Sequence, residues 1–115
     1  MKQEMWERIV SFPQFREWWE KKLRSKPDNL WDIKTGRPMG LEDRMLRHHI
    51  GVDDIVKFLA EQDFTIVIHN IKSPEGKSLI RAYIENTKLS GIENMLSESL
   101  FSLLLSYLED VNKVR

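Results

Sequence analysis

Residues 64–86, FTIVIHNIKSPEGKSLIRAYIEN, constrain the fold of this chain more than any other stretch. Their first half is rich in β-branched and aromatic residues, a composition that suits a pleated, packed surface. Between the halves stand Ser73, Pro74, Glu75, Gly76 and Lys77. Proline presets φ for a turn, and glycine accepts positive φ at no steric cost. Two antiparallel strands joined by a turn follow. The two-residue period then sorts the side chains by face. In the second strand Ile80, Ala82 and Ile84 share one face, and Leu79, Arg81, Tyr83 and Glu85 the other. The first strand is apolar on both, with Phe64, Ile66 and Ile68 opposite Thr65, Val67, His69 and Ile71. A strand apolar on both sides predicts cover on both sides, and two strands alone are marginal in water. The expected architecture is α+β, a small antiparallel hairpin or sheet of two or three strands packed between helices.

At 115 residues the chain reads as one domain with a single core. Its expected parts are an aromatic helical segment at 1–26, an irregular segment at 27–40 and a helix-strand-strand-helix unit at 41–112. In the first part Ser11 and Gln14 have the spacing of a capping box, and Pro13 is acceptable in a first helical turn. A short helix or turn at 5–10 and a longer helix at 12–24 follow. Phe12, Phe15, Trp19 and Leu23 keep the helical repeat, with Trp18 beside them. Leu30 to Ile33 is a candidate third strand.

Residues 41–49 predict a short helix, with Gly51 placed to cap its C-terminus. Asp53 and Asp54 open the next helix, which should end near Gln62. After the hairpin, Ser90 with Glu93 forms a second possible capping box, and Ser97 is a competing N-cap. Leu96, Leu100, Leu103, Leu104, Tyr107, Leu108 and Val111 then mark a helix, with Phe101 and Leu105 off the stripe. So wide an apolar surface predicts the most buried helix, or one with a partner on its second side.

From residue 52 the order is helix, strand, strand, helix. Residues 52–68, VDDIVKFLAEQDFTIVI, with the second strand and residues 96–104, LSESLFSLLL, resemble the small phage "ABA-sandwich" proteins over about residues 52–111. The resemblance implies a phage- or prophage-type α+β protein and assigns no activity.

Composition excludes several function classes. Eighteen basic and eighteen acidic residues give zero formal net charge, which weighs against a dedicated nucleic-acid binder. With no cysteine there is no thiolate ligand, disulfide or cysteine nucleophile. No apolar run approaches the ~20 residues of a membrane span, and the charged first ten residues do not read as a secretory signal, so a cytoplasmic setting is expected.

Candidate chemistry is sparse. His48 and His49 precede Asp53 and Asp54, but adjacent helical side chains diverge by about 100°, which argues against a shared metal. Those imidazoles suit a helix C-terminus and the acids a helix start. Pro27 and Asp28 with Glu75 and Lys77 imitate a nuclease string, yet the latter pair falls in the turn. No serine has a nucleophile-elbow context, and Gly36 and Gly40 flank a stretch too short to cradle phosphates. No catalytic residue, metal, cofactor or small-molecule substrate is therefore assigned.

Six of the eleven aromatic residues lie within the first 31 positions. Adjacent Trp18 and Trp19 cannot both enter one core, so one is expected at an edge or interface. The functional expectation is a small non-enzymatic protein that binds another protein or itself, possible homodimer included. Its candidate contact residues are Phe15, Trp18, Trp19 and Leu23 with Phe101 and Leu105. The alternative is nucleic-acid contact through Arg16, Lys21, Lys22, Arg24, Arg44 and Arg47, and a metal-dependent hydrolase is a further one.

Overall fold

The computed structural model describes residues 3–25, 31–32, 36–38, 40, 45 and 50–113. The chain divides into two compact units, 2–49 and 50–115.

In the first unit, α1 (Gln3–Ser11) and α2 (Pro13–Ser25) are separated by Phe12 alone. The Arg16 amide donates to the Phe12 carbonyl at 2.9 Å, so Phe12 opens α2 and Pro13 takes the first helical position. Ser11 does not form the expected capping box. Its hydroxyl donates back to the Arg8 carbonyl within the last turn of α1. Trp6, Ile9, Val10, Phe15, Trp19 and Leu23 are buried. The Trp6 indole Nε1 donates at 2.8 Å to the carbonyl of Met45, also buried, and so ties α1 to a point 39 residues on. The candidate strand at Leu30–Ile33 joins a different sheet from the hairpin. Trp31–Asp32 (β1) pairs antiparallel with Arg37–Pro38 (β2) in a two-stranded ribbon of its own.

The second unit runs α3 (Val52–Ala60), β3 (Ile66–Lys72), β4 (Ser78–Ile84), β5 (Ser90–Glu93) and α4 (Leu96–Lys113). Gly51, expected to cap the C-terminus of a preceding helix, has an extended backbone, φ −90° and ψ 176°, and is the N-cap of α3. That preceding helix, expected at 41–49, lies outside the described residues except for helical Met45. Asp53 and Asp54 occupy the first turn of α3, as their charge favours.

The β3–β4 turn follows its residue chemistry. The Gly76 amide donates to the Ser73 carbonyl at 2.9 Å with Gly76 at φ 85°, and the Lys77 amide donates to the Ser73 hydroxyl. β3 and β4 then pair without interruption from Ile66 opposite Ile84 to Lys72 opposite Ser78. The third strand is β5, on the far side of β4. Ser90 and Glu93, the candidate capping box, are its first and last residues, and Ser97 falls inside α4 instead of capping it.

The α+β class with a three-stranded antiparallel sheet is thus established. The approach of α4 to the sheet sets its packing. A Cβ on Gly91 would overlap the Ser99 carbonyl and lie 2.6 Å from the Leu103 amide, so only glycine lets the helix come this close. Ser99, fully buried, sits where β4 and β5 end their pairing. Its hydroxyl accepts from the Glu93 amide at 3.1 Å and lies 2.7 Å from the Ile80 carbonyl it can donate to. Ile80 and Glu93 are register partners, so the hydroxyl completes their rung. Ser102 and Ser106, on the same side of α4, bond to the Glu93 carboxylate and the Ser90 carbonyl. Leu100, Phe101, Leu103, Leu104, Tyr107 and Leu108 are buried beneath. The Tyr107 ring packs edge-on against both Phe58 of α3 and Phe64.

Replacing Gly91 with alanine should cost about 1–3 kcal/mol or more by overpacking. Ser99→Ala should cost about 1–3 kcal/mol by leaving the Glu93 amide and Ile80 carbonyl without their bridge. Urea unfolding of both variants checks this. Burial raises the Tyr107 phenol above its ordinary value of 10.0. The folded protein therefore keeps a proton that the unfolded chain releases above that pH. Stability should be complete below it and fall as pH rises through the folded value, and Tyr107→Phe should make that fall shallower.

Candidate functional site

One face of the sheet in the second unit lies under α4. Strand alternation puts Thr65, Val67, His69 and Ile71 of the β3 segment, Leu79, Arg81 and Tyr83 of β4, and Ser90 and Ile92 of β5 on the other. This face is open. Ile92 is 45% exposed, His69 is exposed, and Val67, Ile71, Leu79, Arg81 and Tyr83 are half-buried. The second cover that an apolar β3 predicts is therefore incomplete. At its centre the Arg81 guanidinium lies 4.5 Å from the Tyr83 ring centroid, and His69 meets that ring edge-on at 5.5 Å. Such a cation–π contact contributes about 0.5–1 kcal/mol at an exposed site. Met95 and Leu96, just after β5, are exposed as well, at 61% and 37%.

The sheet has two unlike edges. β5 is short, and its outer carbonyl at Ser90 accepts the Ser106 hydroxyl. β3 runs seven residues with no bulge, proline or glycine, and its one charge is Lys72 at the end. Among the described residues no strand pairs with its outer side.

The aromatic residues of the N-terminal unit form a cluster centred on Trp6, whose ring is 5.7 Å from Phe15 and 6.1 Å from Trp19, both edge-on. Trp18 stacks on Trp19 at 6.4 Å, and the Lys22 ammonium lies 5.2 Å from the centroid of the Trp18 ring. Of the six residues expected to contact a partner, Phe15, Trp19, Leu23 and Phe101 are buried. Trp18 and Leu105 are half-exposed. Trp19 is thus the core tryptophan and Trp18 the edge one.

Of the basic residues in the nucleic-acid alternative, Lys21 is exposed and Arg16 and Lys22 are half-buried along α2. The Arg24 side chain and all of Arg44 and Arg47 lie outside the described residues, as do Asp28, His48 and His49. Among the described residues no group of three His, Asp or Glu side chains could hold a metal ion. Glu75 is in the hairpin turn, as expected, and Lys77 falls between that turn and β4. A hollow of about 200 Å³ beside Asn70, Ile71, Lys72 and Ser78 falls short of the ~300–1,000 Å³ of small-molecule sites. No helix among the described residues is long and apolar enough to cross a membrane.

The open face was missed in the sequence because its signal, an apolar strand on both sides, reads equally as a demand for cover. The chain matches no known protein family, no curated protein and no solved structure.

Burial separates the adjacent tryptophans energetically. Trp19→Ala should cost about 3–5 kcal/mol, while Trp18→Ala should cost about 1 kcal/mol. Thermal and urea unfolding of the two variants measures the difference.

Proposed function

We propose that the protein works as a binding module, engaging another protein or a second copy of itself through the sheet of residues 66–93. The observation that carries this reading is the sheet face on which Arg81 and Tyr83, both half-buried, stand beside exposed Ile92. Tyrosine and arginine are common anchors of protein interfaces, where a flat aromatic and a planar cation give large contact at small entropic cost. Here the two are already packed against each other, so little ordering remains for binding to impose. The aromatic helix face contributes less, because most of its apolar residues are buried within the chain. A phage or prophage setting, which the resemblance of residues 52–111 implies, would make the partner a host or mobile-element protein.

The test compares wild type with Arg81→Glu and Ile92→Asp in affinity capture and in light scattering. Both changes should remove a partner bound on the open face while leaving the thermal midpoint within a few degrees of wild type. Capture unaffected by either change would exclude the face. Binding that collapses between low and moderate salt would instead point to phosphate contacts, and so to the basic residues of α2.

A further inference from the structure

We infer that β3 pairs with β3 of a second copy of this chain, extending two three-stranded sheets into one continuous sheet of six. The inference deepens the binding reading by naming the partner and the edge it uses.

The hydrogen-bond pattern leaves that edge open. The Ser73 amide donates to the Lys77 carbonyl, and the Glu85 amide donates to the Thr65 carbonyl. Antiparallel ladders alternate bonded and non-bonded pairs, so the odd-numbered residues of β3 bond to β4. Ile66, Ile68, Asn70 and Lys72 consequently turn their amides and carbonyls outward. Ile68 is 47% exposed, and Asn70 and Lys72 are exposed too. Sheet proteins ordinarily blunt such an edge with proline, a bulge, a central charge or a short strand. β3 has none of these, whereas β5 is short and carries the Ser106 bond. An unblunted row of donors and acceptors selects an extended backbone as its occupant.

The side chains select this same strand. With two copies antiparallel about a two-fold axis at His69, Ile68 meets the partner's Asn70 and Ile66 meets the partner's Lys72. Every outward amide and carbonyl of β3 then finds a mate. On the open face Val67 would lie against the partner's Ile71, and His69 against its own copy. The only charge in the strand, Lys72, falls at opposite ends of the two copies, so no like charges meet. Sliding the register by two residues leaves either Ile66 or Lys72 without a partner.

The chain has no cysteine, so a single introduced thiol reports the register. Residues at the two-fold form a non-hydrogen-bonded pair with Cα atoms about 4.5 Å apart, within the ~4.4–6.8 Å span of a disulfide. His69→Cys should therefore cross-link into a covalent dimer under mild oxidation, while Glu85→Cys, on the same face but on the loop after β4, should not. Light scattering across a dilution series should show a reversible dimer. Asn70→Pro removes an outward amide and no bond to β4, so it should weaken the dimer by about tenfold or more with an unchanged circular dichroism spectrum. Ile68→Lys, which puts a charge on the edge, should do the same and serves if the proline variant misfolds. A wild-type chain that stays monomeric at ~100 μM, a scale at which a micromolar dimer is well populated, overturns the inference. So does a dimer indifferent to both Asn70→Pro and Ile68→Lys. A monomer whose capture of another protein is lost in Arg81→Glu but kept in Asn70→Pro overturns the self-pairing alone and leaves the open-face reading standing. Capture insensitive to Arg81→Glu and Ile92→Asp, beside an intact β3 dimer, does the reverse.

Discussion

The second unit depends on the closeness of α4 to the sheet at Gly91. Helix backbone and strand backbone meet there without a side chain between them. Everything about the layer follows from that contact. It lets the Ser99 hydroxyl reach between Glu93 and Ile80, brings Ser102 and Ser106 over β5, and presses Leu100, Leu103 and Leu104 into the space below Ala82 and Ile84. A helix held several ångströms farther away would need larger side chains on both partners and would lose the bonds that Ser99, Ser102 and Ser106 make to β4 and β5. A polar group as deeply placed as Ser99 is tolerated only when satisfied, and here Ser99 and Ser106 satisfy strand backbone groups at Glu93, Ile80 and Ser90.

The first unit is organised by a different principle. Its core is aromatic, with edge-to-face contacts around Trp6 and a long-range hydrogen bond from that indole to Met45. Aromatic rings supply large buried area per residue and prefer these tilted geometries. Two short helices joined through one residue can thus assemble a core that shorter aliphatic side chains could not fill.

These two modes explain what was legible in the sequence. The strands at 66–84, the turn at Ser73–Gly76, the helix with its leucine stripe and the Phe15–Trp19–Leu23 face are local patterns, repeated over enough residues to outweigh accident. The α+β class follows from them. β5 was not legible because Ser90 and Glu93 carry the spacing of a capping box, and four residues are too few for alternation to contradict it. What makes them a strand is Gly91 beneath α4, a contact that no local pattern encodes. The open sheet face was obscured for a related reason. Aromatic residues near the N-terminus drew attention to a helix face whose members mostly turn inward, while the sheet face with Arg81 and Tyr83 offers only an ordinary alternation. Which side of a doubly apolar strand remains open is decided by where the helices land.

The arrangement of the second unit also bears on how it assembles. Each strand pairs with the one before it, and α4 lands on the strands just completed, so its defining contacts join residues close in sequence: Ser99 with Glu93, Ser106 with Ser90. Such short-range topology speeds the search for the native state, because little chain must be closed before each contact forms. The helix nevertheless follows all three strands in order of synthesis. Until it arrives, the Gly91 surface and the last rung at Ile80 have only water for a partner. The meander is then a template awaiting its lid, and the emergence of residues 96–108 from the ribosome sets the moment at which the unit locks.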